Sequence, residues 1–453
     1  MYKTTSTKEK INLLIKLLVP VLVTQCGMYA MTFFDTVMSG HASANDLAGV
    51  AIGSNIWMPI FTGLSGILMG LTPILSHHIG AKDYERIPFK LFQAIYLAVT
   101  MALIILLLGS FLLNPIISAM HLTPIVSYIA RKYLLALSIG MIPLFTFNAL
   151  RGFIDAHGQT RLSMGITLIA LPINVFFNYL FIFGHLGFPR LGGIGAGVAT
   201  AITYWIIAGI ACLVIAKGKA FDRYHPLKSW PIPAPKTWTE QLKIGLPIGF
   251  SIFFETSIFA VSTLLMSQYS TLVVAAHQAA LNFASFLYMM PLSISTGMTI
   301  AVGFESGAKR YRDAQTYSRL GLQIAVLFAV VFAVLLFVFN QSVAKLYTTN
   351  PAVITMTSHF LMYAIFFQLS DAIQAPIQGA LRGYKDVNIT FIMTLISFWV
   401  VGLPTGILLA HYSSLGPYGY WLGLIIGLAV GATTLFFRLM KVQKRLHKAE
   451  ASV

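Results

Sequence analysis

Charge is what this sequence lacks most. Only 10% of its 453 residues are Asp, Glu, Lys or Arg, against about 25% in an ordinary soluble domain. So few charges cannot cover a water-facing surface, so the bulk solvent of this chain is lipid. Cysteine is nearly absent as well. Cys26 and Cys212 both lie in apolar runs, which argues against a disulfide framework or a zinc site. Period-two alternation is missing, which argues against an outer-membrane barrel. There is no Walker A loop, no His-Glu-x-x-His, no Gly-x-Ser-x-Gly and no Asp-rich metal–pyrophosphate motif. Neither direct use of ATP nor enzyme chemistry is therefore expected.

What is present is hydrophobic, at 57% of the chain, and it comes in long runs. Residues 91–113, 320–339 and 418–437 are almost free of charge. Each has roughly the 20 residues that a helix needs to cross a bilayer's hydrocarbon core. The pattern predicts an all-α integral membrane protein of twelve transmembrane helices. They fall near 13–38, 47–78, 91–113, 128–150, 162–184 and 193–216, then 241–267, 275–304, 320–340, 352–381, 387–410 and 417–438. The basic start, residues 1–16, leads into an apolar run too long for a signal peptide and without a small-residue cleavage pattern, so the first helix is expected to stay. The stretch 217–240, with its WPIPAPK run at 230–236, reads as a cytoplasmic linker. The expected domains are 1–216, this linker, and 241–453 with a short basic tail.

A net charge of +16 invites a nucleic-acid partner, but its placement points elsewhere. With both termini in the cytoplasm, all but four of the 30 Lys and Arg fall on that side; Arg131, Lys132, Arg190 and Lys345 are the exceptions. Such a split is the positive-inside signature of a multi-pass protein of the cell (inner or plasma) membrane. The bilayer accounts for the basicity, and nucleic acid loses its support.

The two halves repeat. Pro20 matches Pro247, Asn55 matches Asn282, Gly70 matches Gly297 and Gly80-Ala81-Lys82 matches Gly307-Ala308-Lys309, all 227 residues apart. Asn148–Phe153 (NALRGF) matches Gly379–Tyr384 (GALRGY) at an offset of 231, and Pro172 matches Pro404 at 232. Six helices per half is an even number, so the repeats are parallel, with a substrate path expected at their interface. Two halves already supply a two-fold arrangement, so a monomer is the default.

Of 14 acids, three fall within predicted spans: Asp35 in helix 1, Glu255 in helix 7 and Asp371 in helix 10. A charge at the bilayer centre costs about 2.5–3.5 kcal/mol even on lenient scales, which asks for a functional reason. None has a Lys or Arg within a helical turn, so a local ion pair is not the explanation. Asn174 and Asn178, four residues apart, share a helix face that can present amide oxygens beside Asp35. Carboxylate and amide oxygens suit a hard cation such as Na⁺, by analogy with other oxygen-ligand sites. A carboxylate in apolar surroundings can equally trade a proton for a cation. Gln278, Asn282 and Gln374 are polar residues able to join Glu255 and Asp371, while Phe254, Phe286, Tyr288 and Phe367 lie along the same helices. Aromatic faces with carboxylates suit a lipophilic organic cation. His277 reads either as a proton acceptor or as a structural histidine. The Gly-Ala-Lys and Leu-Arg-Gly segments read as cytoplasmic turns and anchors.

The parallel repeat, the pattern Pro20…Asp35…Gly40 and the paired Gly-Ala-Lys and Ala-Leu-Arg-Gly turns resemble the multidrug and toxic compound extrusion (MATE) transporters. The acids resemble those of the NorM-type branch. The resemblance covers residues 13–438. It implies a V-shaped pair of six-helix lobes exporting cationic drugs by antiport with Na⁺ or H⁺, with no other cofactor. It implies an ion site from Asp35, Asn174 and Asn178 with a helix-6 hydroxyl, for which Thr200 is the candidate, and a second site from Glu255 and Asp371. Some NorM-type members carry a tyrosine where this chain has Phe367, which removes an oxygen ligand here. The alternative is a flippase for lipid-linked saccharides, a related bundle, whose anionic cargo would call for a basic cavity.

Overall fold

The structure is a computed structural model that describes residues 1–226 and 228–451, helical throughout with no strand among them. Lipid offers no hydrogen-bond partners, so apolar runs of this length can satisfy their backbones only as helices. In chain order these are α1 (Thr7–Ala42), α2 (Ala44–Leu68), α3 (Leu71–Gly80), α4 (Arg86–Ala119), α5 (Pro124–Ser138), α6 (Met141–Ala156), α7 (Thr160–Phe183) and α8 (Gly193–Lys217). Then follow α9 (Trp238–Met266), α10 (Thr271–Gly307), α11 (Tyr311–Tyr347), α12 (Pro351–Gly383), α13 (Asn388–Leu395), α14 (Leu403–Tyr412) and α15 (Tyr418–Ala451). Eleven helical stretches of the described residues are long and apolar enough to span a bilayer, with α2–α3 and α13–α14 each counted as one. The pair α5–α6, bent by 50°, makes the twelfth.

The helix ends carry the expected chemistry. Ser43 and Ser270 accept from the backbone N–H groups of Asp46 and Val273, capping α2 and α10. Lys82 and Lys309 adopt matching left-handed conformations, φ 60° and 58°, and so close the two Gly-Ala-Lys turns alike. Asp83 and Arg310 N–H then reach back to the carbonyls of His78 and Glu305, both at 2.9 Å.

The chain forms two compact units. One is Met1 with Val19–Gly249, the other Tyr2–Leu18 with Phe250–Val453. The division therefore falls inside α1 and α9, within three residues of Pro20 and Pro247, and not at the 217–240 linker. Each start of these helices is tied to the unit it belongs to. Lys10 pairs with Asp313 at 3.0 Å and Thr4 bonds Tyr317 at 2.8 Å; Glu240 pairs with Lys90. The linker is pinned to α4: Gln93 bonds the Ile232 carbonyl, the Ala234 N–H and the Trp238 indole, and Tyr96 bonds the Pro231 carbonyl.

In the second unit α12 packs against α10, α11 and α15. Residues 396–402 form a π-helical turn between α13 and α14. Across from it, Gly419, Gly423, Gly427 and Gly431 repeat every four residues along one face of α15. This is the small-residue stripe by which membrane helices approach closely. A Cβ on Gly423 would sit 2.3 Å from the Gly406 Cα, and one on Gly431 would sit 2.6 Å from Gln374 Oε1. The stripe thus brings α15 onto the polar face of α12 described below. Gly423→Ala, opposed by backbone that cannot yield, is expected to cost about 1–3 kcal/mol and to lower the melting temperature in detergent. Gly109→Ala meets nothing within 4 Å and should leave the melting temperature unchanged or slightly raised.

At the turn after α6, His157 is buried among the rings of Phe153, Tyr224 and Phe221, at 4.3, 4.5 and 5.5 Å. Its Nδ1–H donates to the Phe153 carbonyl at 2.7 Å, and its Nε2 is buried with no partner. Burial pushes the imidazole down to about 4, below the free value of 6.5. The unfolded chain therefore takes up the proton first, so this stabilisation is complete above pH 6.5 and is lost as pH falls toward 4. The full loss corresponds to roughly 3 kcal/mol. Unfolding midpoints measured between pH 7 and 4.5 should fall in the native chain and fall less steeply in His157→Phe.

Candidate functional site

The first unit holds a closed polar ring inside the membrane span. Asn178 on α7 donates to Asp35 Oδ1 at 2.7 Å, and the Thr200 hydroxyl on α8 donates to Asp35 Oδ2 at 2.8 Å. Asn174 donates to Thr200 at 3.1 Å and accepts from Asn178 at 3.2 Å, which closes the ring. The i, i+4 spacing puts both asparagines on the α7 face toward α1, and the packing of α7 on α8 brings Thr200 to them. All four side chains are at most 6% exposed. No basic side chain pairs with Asp35 among the described residues. Two donors to a carboxylate, at about 1.5–3 kcal/mol each, match the cost of its burial. Asn178 Oδ1 remains buried without a partner. The ring therefore offers carboxylate, amide and hydroxyl oxygens and one unfilled acceptor, a donor set that fits a small hard cation.

The second unit holds a looser acid cluster. Gln378 on α12 donates to Glu255 Oε1 at 2.7 Å and to the Thr394 hydroxyl at 3.3 Å. Asp371, two turns earlier on α12, lies within electrostatic reach of Glu255, and Tyr288 of α10 lies within reach of both. Glu255, Asp371 and Tyr288 keep part of their surface accessible, unlike Asp35. Glu255 has one neutral donor; the Asp371 carboxylate makes no hydrogen bond or ion pair among the described residues. Two carboxylates so poorly provided call for a proton or a cation.

The other expected residues divide. Gln374 sits one turn from Asp371 on the same face, 2% exposed, with its Oε1 unpartnered. Phe367 does not join the acids. It is 4% exposed in a core with Ile258, Phe398, Leu424 and Leu428, edge-on to Phe259 and Trp421. Asn282 is exposed and accepts from the Tyr347 hydroxyl at 3.1 Å, and Gln278 is exposed one residue beyond His277. His277 is structural. The Trp421 indole donates to its Nδ1 at 3.0 Å, so its proton lies on Nε2, facing Thr263 at 3.0 Å. Gln378 and Arg382 escaped the sequence reading. Their signal was available, because Asp371, Gln374, Gln378 and Arg382 form one polar stripe at helical spacing.

Comparison with known proteins agrees with this architecture. The MatE family pattern matches residues 20–180 and again 247–408. A protein of Halalkalibacterium halodurans named "Probable multidrug resistance protein NorM" is 54% identical over 449 residues, 99% of this chain and 98% of that one. The protein of the same name from Bacillus subtilis is 51% identical over 98% of each. Among solved structures, a eukaryotic MATE transporter superposes with a TM-score of 0.87 at 20% identity, covering 97% of this chain and 99% of that one. The bent form of a Vibrio cholerae MATE transporter gives 0.86 at 19%, covering 98% and 99%. At such identities these two structures speak for the fold alone.

The ring around Asp35 should behave as one energetic unit. In a double-mutant cycle of Asp35→Asn and Thr200→Val, followed by unfolding in detergent, the two costs are expected to deviate from additivity by about 1–2 kcal/mol. Additive costs would mean that the hydroxyl does not hold the carboxylate.

Proposed function

The chain belongs to the MatE family, and from that premise we propose that it is a secondary active exporter of lipophilic organic cations. Antiport with Na⁺ or H⁺ through alternating access drives it. The observation that carries the reading is the ring of Asp35, Asn174, Asn178 and Thr200: a carboxylate sealed inside a membrane span, held by neutral oxygens and amides, with no basic partner. A structural carboxylate at this depth would be paired with Lys or Arg. One left unpaired and oxygen-rich is suited to taking a coupling cation or a proton and giving it up again.

The second unit supplies the complementary surface. Glu255 and Asp371 are partly accessible with Tyr288 within electrostatic reach, and carboxylates combined with an aromatic ring favour an organic cation. A cation, once bound, neutralises the acids, and so does a proton. Drug and coupling ion then exclude one another, which is the electrostatic requirement of exchange. The family's members are transporters, and the names of the relatives, probable multidrug resistance proteins, agree with a drug-like cargo. The distribution of Lys and Arg supports a multi-pass protein of the plasma membrane with both termini in the cytoplasm. A monomer whose two units divide near Pro20 and Pro247 completes the proposal.

Purified protein in liposomes, followed with a fluorescent lipophilic cation, tests it. An imposed Na⁺ or proton gradient is expected to drive the dye against its own gradient, and Asp35→Asn and Asp371→Asn should slow this tenfold or more. Whichever gradient is effective names the coupling ion. If neither gradient moves this dye or several unrelated cations, the exporter reading fails.

A further inference from the structure

The two halves carry the same arginine and acid and use them differently. Arg151 and Asp155 match Arg382 and Asp386 at the repeat offset of 231, each acid four residues after its arginine. α6 continues to Ala156, so Asp155 stays on the helix one turn from Arg151 and pairs with it at 3.4 Å. α12 stops at Gly383 and Lys385 takes a φ of 61°, which puts Asp386 beyond the turn. There Arg438 of α15 takes Asp386 with two hydrogen bonds of 2.7 Å. Arg382 is left without its acid. It is 7% exposed and makes no ion pair among the described residues.

A guanidinium keeps its proton in a protein, so one buried this deeply must be balanced by an anion. The helix shows which. Arg382 lies on the polar stripe one turn beyond Gln378, whose amide holds Glu255 at 2.7 Å. Its charge reaches both Glu255 and Tyr288. Other basic groups of this unit are engaged elsewhere: Lys10 with Asp313 and the Thr4 carbonyl, Arg310 with Glu305 and Asp313, and Arg438 with Asp386.

We propose that Arg382 is the resident counter-cation of Glu255, partly neutralising that acid while the site is unloaded and so setting how tightly a coupling cation or proton binds beside it. This rests on the antiport reading above. Arg382 acts through that acid and is a positioning residue, with no contact to the cargo required. Its repeat mate Arg151, already paired with Asp155, has no such role. The two acid sites are thus electrostatically unequal: Asp35 faces neutral donors only, whereas Glu255 has a fixed positive charge within reach.

The test is the coupling-ion dependence of dye transport in liposomes, read as the Na⁺ concentration for half-maximal rate or, if protons couple, the pH midpoint. Arg382→Gln removes the competing charge and is expected to lower the half-maximal Na⁺ concentration about tenfold, or raise the midpoint by about one pH unit. Arg382→Lys should stay within threefold of the native chain, and Arg151→Gln should not shift. An Arg382→Gln protein that elutes monodisperse, transports and shows no shift overturns the proposal, as does Arg382→Lys shifting as far as Arg382→Gln. If Arg382→Gln does not fold, adding Glu255→Gln should restore a monodisperse protein by removing both members of the charge pair; failure to do so also overturns it. A native chain that responds to neither gradient sinks the antiport reading instead. Melting temperature in detergent then decides: Arg382→Gln should lower it and adding Glu255→Gln should recover it, and no recovery overturns the proposal.

Discussion

Everything in this protein follows from the fact that hydrocarbon satisfies no polar group. The backbone must close on itself, which makes every span a helix and demands caps such as Ser43 and Ser270 at the ends. Helices cannot be driven together by the hydrophobic effect in lipid, so close contact depends on small residues, as along Gly419, Gly423, Gly427 and Gly431. Every buried acid must likewise be provided for by the chain or by something it binds. The difference between Asp35, with two strong donors, and Asp371, with none, is a difference in how far the chain meets that demand unaided.

Much of this was legible in the sequence because the signals are local or periodic. Span length fixed the helices, and matched motifs fixed the repeat, which the double match of the MatE pattern reproduces. Asn174 and Asn178 could be placed beside Asp35 because four residues is a helical turn. Other features depended on where a helix ends or which face it buries. Leu-Arg-Gly was read as a turn and anchor in both halves, yet α6 outruns α12, and that one turn decides whether the arginine keeps its acid. Phe367 lies on the helix of Asp371, but that position turns into the core around Trp421, which spacing along one helix cannot reveal. Asn282 was placed with the acids by its helix alone, while its amide oxygen is taken by Tyr347. The glycine stripe of α15 is periodic in the sequence, but glycine is so common in membrane helices that its spacing alone does not single out a packing face.

Internal repetition sharpens these comparisons, because each half is a control for the other. The Gly-Ala-Lys turns are alike down to the left-handed lysine. The starts of α1 and α9 are both secured by salt bridges, Lys10 to Asp313 and Glu240 to Lys90, and both helices change unit close to their prolines. Against this sameness the polar interiors diverge. One half encloses its acid in a ring of neutral partners, while the other sets two acids within electrostatic reach of each other and of Tyr288, with Arg382 within reach of Glu255. Duplication supplied the scaffold twice, and substitution of a few interior residues made the two chemistries different.

That divergence bears on how one chain can handle two cations of unlike size. A ring with four side chains at most 6% exposed can take only an ion that sheds its water, with the ring's own oxygens in the water's place. An organic cation is too large for it. The Glu255–Asp371 cluster keeps accessible surface, with Tyr288 within electrostatic reach, which suits the proposed organic cation because full desolvation is not required. A guanidinium that counters Glu255, as proposed for Arg382, offsets part of that acid's charge and weakens the hold on any single cation. For a transporter that weakness is useful, because a cargo bound by two uncompensated carboxylates in a low-dielectric site would not leave. The proposed export therefore depends as much on the charge that Arg382 withholds from the cargo as on the charge that the acids offer.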